Sequence, residues 1–303
     1  MANTAIGIDV GGSSIKLGVV EKGGRILARR RVQLPNEQDF STFAEGIGAA
    51  VDELLADIAQ GIGAIGLAMP GFVDPKTGLS VDGIDNVPAL KSRSLPTELQ
   101  RVTGLEVVAQ NDGVAAARGE MLFGAGRPFR RFLLMTIGTG IGGGVVIDGK
   151  LVTGNRGEPP ELGAIVLDTA GPVNYSGMPG TLEAYASVPG LNDAYGSMDL
   201  PAEEIFRRAT AGDLEAERAI EAVAIRLAQG CGTLVNALNL EACILGGGVS
   251  HAGERLRARV EHNLARFTWP MLLGNCRVLL AERRNDAGVL GAAALAAGWT
   301  HPQ

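Results

Sequence analysis

The sequence predicts an α/β protein built from two similar halves. Two observations predict it, and a third agrees. A glycine hairpin occurs twice, at residues 6–20 (IGIDVGGSSIKLGVV) and again at 133–147 (LLMTIGTGIGGGVVI). Each copy opens with an apolar run fit for a buried strand, breaks at clustered glycines and resumes with a second apolar run ending in a valine pair. Behind each hairpin, short apolar runs alternate with segments of helical period, the pattern of an α/β chain. At 303 residues the chain is long enough for two domains, each with its own core.

In order along the chain, residues 6–10 and 17–20 read as paired strands, Gly23-Gly24 as a turn and 25–33 as a third strand. Asp39 or Ser41 can cap a helix reaching about residue 60, with Phe43, Ile47, Val51, Leu54 and Leu55 on one face. A short strand at 62–68 ends at Met69-Pro70-Gly71, and 74–90 is a loop rich in Asp, Gly and Pro. A helix at 95–103 carries Pro96 near its start. A strand at 105–109 then leads to Asn111-Asp112, which open a helix at 113–123. In the second half 151–180 is loop-rich, and 181–187, 202–210 and 213–240 are helical. A buried strand at 242–245 stops at Gly246-Gly247-Gly248. A helix at 253–267, a strand at 277–281 and a small-residue helix at 287–297 follow. The expected domains are 1–116 joined by the C-terminal helix of 287–303, and 117–286, facing each other across a cleft.

Composition narrows the function classes. Hydrophobic residues make up 46% and charged residues 20%, as in a globular protein. With 27 basic against 33 acidic residues the net charge is −6, which argues against a nucleic-acid surface. The three cysteines, Cys231, Cys243 and Cys276, include no CxxC pair, and their odd, scattered set points to a reducing cytoplasm. No basic stretch precedes the first apolar run, so no signal peptide is expected. The most apolar window, 61–73, is too short and too interrupted to span a membrane.

The glycine turns carry the chemistry. Glycine reaches positive φ without steric cost and lets backbone N–H groups approach an anion. One turn in each half of the chain could therefore hold a polyphosphate between two lobes. Asp112, at a strand end, exposes a carboxylate on rigid scaffold, where it can take a hydroxyl proton as a phosphoryl group arrives. The same position also suits a helix cap.

Four motifs now coincide: the DxGG hairpin at 9–12, the strand-end Asn111-Asp112, the GTGIGGG hairpin at 138–144 and the strand-end glycines 246–248. Met69-Pro70-Gly71, Asn86-Val87-Pro88-Ala89, Glu161-Leu162-Gly163, the stretch at 182–187 and that at 287–294 support them in order. Over nearly its whole length the chain resembles the ROK family of bacterial sugar kinases and repressors. The resemblance implies the two-domain, actin-like ATPase (ribonuclease H-like) fold and an ATP-dependent phosphotransferase acting on a free hexose or N-acetylhexosamine. It implies that Asp112 is the general base and that Asp9 organises magnesium, directly or through water. Gly11, Gly12, Ser13, Lys16, Gly138, Thr139 and Gly140 would meet the phosphates, and Gly246, Gly247 and Gly248 the adenosine. Asn86, Asn111, Asp112, Glu161 and Glu183 would meet the sugar, since amides and carboxylates suit adjacent hydroxyls. A homodimer is the family's usual state.

The sequence departs from the family in one place. ROK kinases commonly carry a zinc site made by ExGH and CxCxxxxC motifs. Here the histidine position is Ala164, and the cysteine positions are Asn174, Ser176 and Thr181. No zinc site is expected, and sugar identity stays open among glucose, mannose, fructose and N-acetylhexosamines. Inorganic polyphosphate is an alternative donor. A sugar sensor without catalysis is disfavoured by the presence of Asp112. A ROK-type repressor is disfavoured because only eight residues precede Asp9 and the charge balance is acidic.

Overall fold

The computed structural model describes residues 3–12, 14–33, 39–58, 61–74, 76–81, 84, 87–174, 176–197, 199–248 and 253–300. The chain forms two compact units. The first comprises Met1–Arg127, Leu151–Pro160 and Asn285–Gln303, and the second Pro128–Lys150 and Glu161–Arg284.

In the first unit β1 (Thr4–Val10), β2 (Ser14–Glu21) and β3 (Ile26–Gln33) form an antiparallel set. Helix α1 (Phe40–Ala56) starts at Asp39, whose side chain accepts the Ser41 N–H at 2.9 Å, so Asp39 rather than Ser41 is the cap. Its Phe43, Ile47, Val51 and Leu54 are buried in the first core. Strand β4 (Ala64–Met69) then runs parallel to β1. Helix α2 (Leu95–Thr103) is capped by Ser94 and ends at Gly104, which adopts a left-handed φ of 69°. Strand β5 (Glu106–Asn111) lies parallel to β4 and passes directly into α3 (Asp112–Phe123). The sheet order is β3-β2-β1-β4-β5.

The second unit begins with β6 (Phe132–Ile137), β7 (Ile141–Ile147) and the short β8 (Lys150–Leu151). Helices α4 (Leu182–Ala186), α5 (Val188–Tyr195), α6 (Ala202–Thr210) and α7 (Leu214–Leu238) follow. Strand β9 (Ala242–Gly246), α8 (Glu254–Leu264), α9 (Pro270–Leu273) and β10 (Arg277–Leu280) complete it. Here β6 and β7 are antiparallel, β9 is parallel to β6 and β10 parallel to β9, giving the order β10-β9-β6-β7-β8. Each unit thus repeats one plan: a hairpin, an outer strand on one side and two parallel strands on the other. The long helix α7 packs on α5 and α8 and buries Ala219, Ile220, Val223, Leu227 and Cys231 in the second core.

Helix α10 (Ala287–Ala296) returns to the first unit and packs on α3, β1 and β4. Its small residues permit backbone-to-backbone approach. A Cβ on Gly66 would lie 1.8 Å from the Ala292 carbonyl oxygen, so this position admits only glycine. The expected domain break at 116 would cut α3, but Gly119 lies against Ala287 and Gly291 against Ala115, so the whole helix stays with the first unit. Helix α5 was not expected. Ser187 closes α4 and caps α5 at once, so two short helices follow without a linker. The helix expected to reach 267 stops at Leu264.

The segment 165–181 is ordered by its own polar groups. Gly180 N–H donates to the Pro172 carbonyl at 2.7 Å and Leu167 N–H to the Gly180 carbonyl at 2.8 Å. At the tip the Asn174 side-chain oxygen accepts from Ser176 N (3.1 Å), Ser176 Oγ (2.8 Å) and Met178 N (2.9 Å). Thr181 caps α4 through Ala184 N–H. Two of the positions that replace cysteines thus hold the loop by hydrogen bonds, one as a turn-forming Asn and one as a helix cap.

Candidate functional site

The two glycine hairpins differ by one residue where they close. The first pairs Val10 with Ile15, the second Ile137 with Ile141, which accounts for the one-residue slip between the repeats. In the first hairpin Gly11 N–H donates to the Ser14 carbonyl at 3.2 Å. Gly12 is exposed, and Ser13 lies outside the described residues. Asp9 and Lys16 are register partners on β1 and β2, and their side chains meet at 3.3 Å. Burial pushes the Asp9 carboxyl above its usual range, while the Lys16 ammonium pulls the other way. The start of α10 lies against this carboxylate, where a Cβ on Gly288 would come within 2.9 Å of Asp9 Cγ. Sequence reasoning missed Gly288. Its signal was a glycine in the first turn of a small-residue helix, a position where nothing local demands one.

At the same C-terminal end of the first sheet, two strands over on β5, Asn111 does the capping. Its side-chain oxygen accepts the Val114 N–H at 3.1 Å and its Nδ2 donates to the Gly71 carbonyl at 2.9 Å. The amide thereby fastens the Met69-Pro70-Gly71 turn to the start of α3, and Met69 and Asn111 are register partners on β4 and β5. Gly71 takes a φ of 72°, which the turn requires of it. Asp112 is the first helical residue and is exposed, with one carboxylate oxygen accepting the Gly113 N–H at 2.7 Å. Asn111, not Asp112, occupies the N-cap position, while Asp112 satisfies the Gly113 amide of the first turn. Asn86 lies outside the described residues.

In the second unit Glu183 and the GTG turn are joined. One Glu183 carboxylate oxygen accepts the Ile141 N–H at 2.8 Å, and a Cβ on Gly140 would fall 2.5 Å from that oxygen. Gly163 fits between the Ile141 carbonyl and the Glu183 side chain. Val188 N–H donates to the Gly138 carbonyl at 2.8 Å, tying α5 to the same turn. The Gly138 N–H closes the turn on the Gly140 carbonyl at 2.9 Å, so this amide, expected at the phosphates, is engaged inside the hairpin. Thr139 is exposed at the tip. Glu161 is exposed just ahead of the 3-10 turn Leu162–Ala164. Gly247, with a φ of 80°, packs on the backbone of Ile137, where a Cβ would be 2.4 Å from its nitrogen and oxygen. Gly246 lies behind it and Gly248 is exposed. The structure therefore brings the second hairpin, Glu183 and the glycine triplet into one cluster.

The sequence profile of the ROK family matches residues 5–298. The chain belongs to the ROK family. It is 32% identical over 309 residues to a glucokinase of Thermotoga maritima, covering 96% of this chain and 96% of that protein. It is 32% identical over 298 residues to an N-acetylmannosamine kinase of Escherichia fergusonii, covering 97% and 99%. Among solved structures, a ROK family glucokinase from Streptomyces griseus in complex with glucose and AMPPNP matches with a TM-score of 0.80 at 30% identity, covering 98% of this chain and 100% of that one. This ROK protein thus has the two-sheet α/β architecture of the actin-like ATPases. Among the described residues no helix is long and apolar enough to cross a membrane, and no group of three or more His, Cys, Asp or Glu side chains is placed to hold a metal ion.

Proposed function

We propose that this protein is a sugar kinase that transfers the terminal phosphoryl group of ATP to a hydroxyl of a free hexose or N-acetylhexosamine, with Asp112 as the general base. Family membership and the glucokinase and N-acetylmannosamine kinase relatives support the coarser reading of a hexose or hexosamine kinase. The AMPPNP in the Streptomyces griseus enzyme supports ATP as donor. The observation that carries the finer reading is the division of labour at 111–112. Asn111 caps α3 and anchors the neighbouring turn, and the carboxylate of Asp112 stands exposed at the first residue of that helix.

In this reading Asp112 accepts the sugar hydroxyl proton while the oxygen attacks the γ-phosphorus and ADP leaves. The Gly113 N–H on Asp112 fixes the carboxylate's orientation. Asn111, Asn86, Glu161 and Glu183 orient the sugar, and Glu183 also holds the GTG turn through Ile141. Magnesium, when bound, would neutralise phosphate charge. Asp9 suits a cation held largely through water, because it supplies a single half-buried carboxylate with α10 close beside it. Lys16 keeps Asp9 oriented, and the glycine turns leave room for phosphate oxygens. The working form is proposed to be a cytoplasmic homodimer.

An ADP-release assay over a panel of hexoses and N-acetylhexosamines, with ATP or polyphosphate as donor, tests the reading. Turnover with ATP and at least one sugar is expected. Asp112→Asn should lower kcat by about 10²- to 10⁴-fold, the usual worth of a general base. Sugar affinity, measured by calorimetry, should be kept. Wild-type turnover in that variant would overturn the assignment, and activity with polyphosphate alone would replace ATP as donor.

A further inference from the structure

The chain's three cysteines are far apart in sequence, yet they gather in the second unit. Cys231 sits on α7, Cys243 on β9 and Cys276 one residue before β10. Cys231 and Cys243 are fully buried and Cys276 is half-buried. The parallel pairing of β9 with β10 sets Cys243 opposite Val278, which brings Cys276 alongside it. The Cys243 and Cys276 sulfurs are 3.9 Å apart. Cys231 also neighbours Cys243, and their contact helps raise the Cys243 thiol.

We propose that Cys276 and Cys243 form a peroxide-reactive dithiol, in which Cys276 is oxidised first and Cys243 then closes an intramolecular disulfide with it. Access sets the order, since only Cys276 reaches solvent. Acidity agrees with it. A hydrogen bond from Cys243 holds the Cys276 thiol below its usual range, while the thiol neighbours and burial push Cys243 well above it. The Cys276 thiolate attacks one oxygen of hydrogen peroxide, the O–O bond breaks, and the released hydroxide takes a proton to become water. The sulfur is left as a sulfenic acid. The Cys243 sulfur, losing its proton as it attacks, displaces the sulfenic hydroxyl as a second water. The sum is two thiols and one peroxide giving one disulfide and two waters.

Closure must shorten 3.9 Å to the roughly 2.05 Å of an S–S bond. The chain can supply this at Cys276, which lies ahead of its strand and is held there by a long 3.3 Å bond from its N–H to Leu273. Cys231 lies in the interior of a long helix with no solvent path and is excluded as the first site. No step depends on the sugar-kinase reading, since the chemistry is read at the thiols.

The intact protein is treated with a small excess of hydrogen peroxide, and free thiols are counted after unfolding. A fall from three thiols to one is expected, with loss of two hydrogens in mass, a 243–276 linked peptide, a monomer band on a non-reducing gel, and full reversal by dithiothreitol. In Cys243→Ala, dimedone should label Cys276. In Cys276→Ser, both remaining thiols should survive the same dose. Survival of all three thiols in the wild type, a linkage through Cys231, an intermolecular bond, or thiol loss in Cys276→Ser would overturn the proposal.

Discussion

Replacing Asn174 with alanine should loosen the 165–181 segment without unfolding the second unit. The side-chain oxygen accepts three hydrogen bonds, two from Ser176 and one from Met178. A hydrogen bond contributes a net 0.5–1.5 kcal/mol or so, and bonds whose partners can turn to water sit at the low end. Ser176 is exposed and Met178 is half-buried, so the two Ser176 bonds take the low value and the Met178 bond the high one. The sum is about 2.5 kcal/mol of local stability, or roughly a 70-fold rise in the opening constant of the segment. Native-state hydrogen exchange reads this at Leu167, Met178 and Gly180, whose amides are bonded within the segment. Asn174→Asp keeps an acceptor and should exchange nearly as the wild type. Unchanged exchange at Leu167 and Gly180 in the alanine variant would refute the view that this side chain does the ordering. It would leave the Tyr185–Asp168 hydrogen bond and the Arg226–Tyr185 stack as the principal ties.

Other outcomes follow from the same geometry. Gly66→Ala drives a methyl into the Ala292 carbonyl and should cost about 3 kcal/mol or more, seen as a large fall in melting temperature. Gly46→Ala, on the exposed face of α1 with nothing within 4 Å, should instead stabilise by about 0.5–1 kcal/mol, and reversal of these two signs would discredit the packing argument. Arg207 and Arg208 hold the Glu204 carboxyl down to about 2 from its usual 4.5. Because the folded form binds that proton less readily than the unfolded chain, the contribution is full above about 4.5 and fades as pH falls toward 2. An NMR titration placing the Glu204 midpoint near 4.5 would contradict it. Glu183→Ala removes the acceptor of Ile141 N–H and should raise exchange at that amide by roughly 10-fold, with the melting temperature nearly unchanged.

Local signals were the legible ones. Asp39, Thr181 and Asp213 cap helices where short polar side chains precede apolar periodicity. The doubled glycine hairpin gave the doubled architecture, because a turn between two apolar runs is written in contiguous residues. Strand order within each sheet was not legible, since pairings such as β1 with β4 join residues some sixty apart and no local rule names the neighbour. The same limit hid the cysteine cluster. Spacing shows no ligand pair, and only the β9–β10 register brings Cys276 to Cys243. Asn111 and Glu183 show a subtler gap. Their residue types fit sugar recognition, yet each already holds a backbone group in place, a role that type and position alone do not reveal.

Helix α10 follows the whole second unit in the chain but packs into the first. During synthesis, at about 5–20 residues per second, the ribosome releases the first unit's strands early and its closing helix last. Residues 128–150 and 161–284 can then complete their fold while β1, β4 and α3 still show the bare face that Val289, Ala292 and Ala293 will cover. Order of translation and order of completion are therefore opposite in this molecule. Nascent chains stalled before residue 287 should present that face to chaperones, and full-length release should withdraw it.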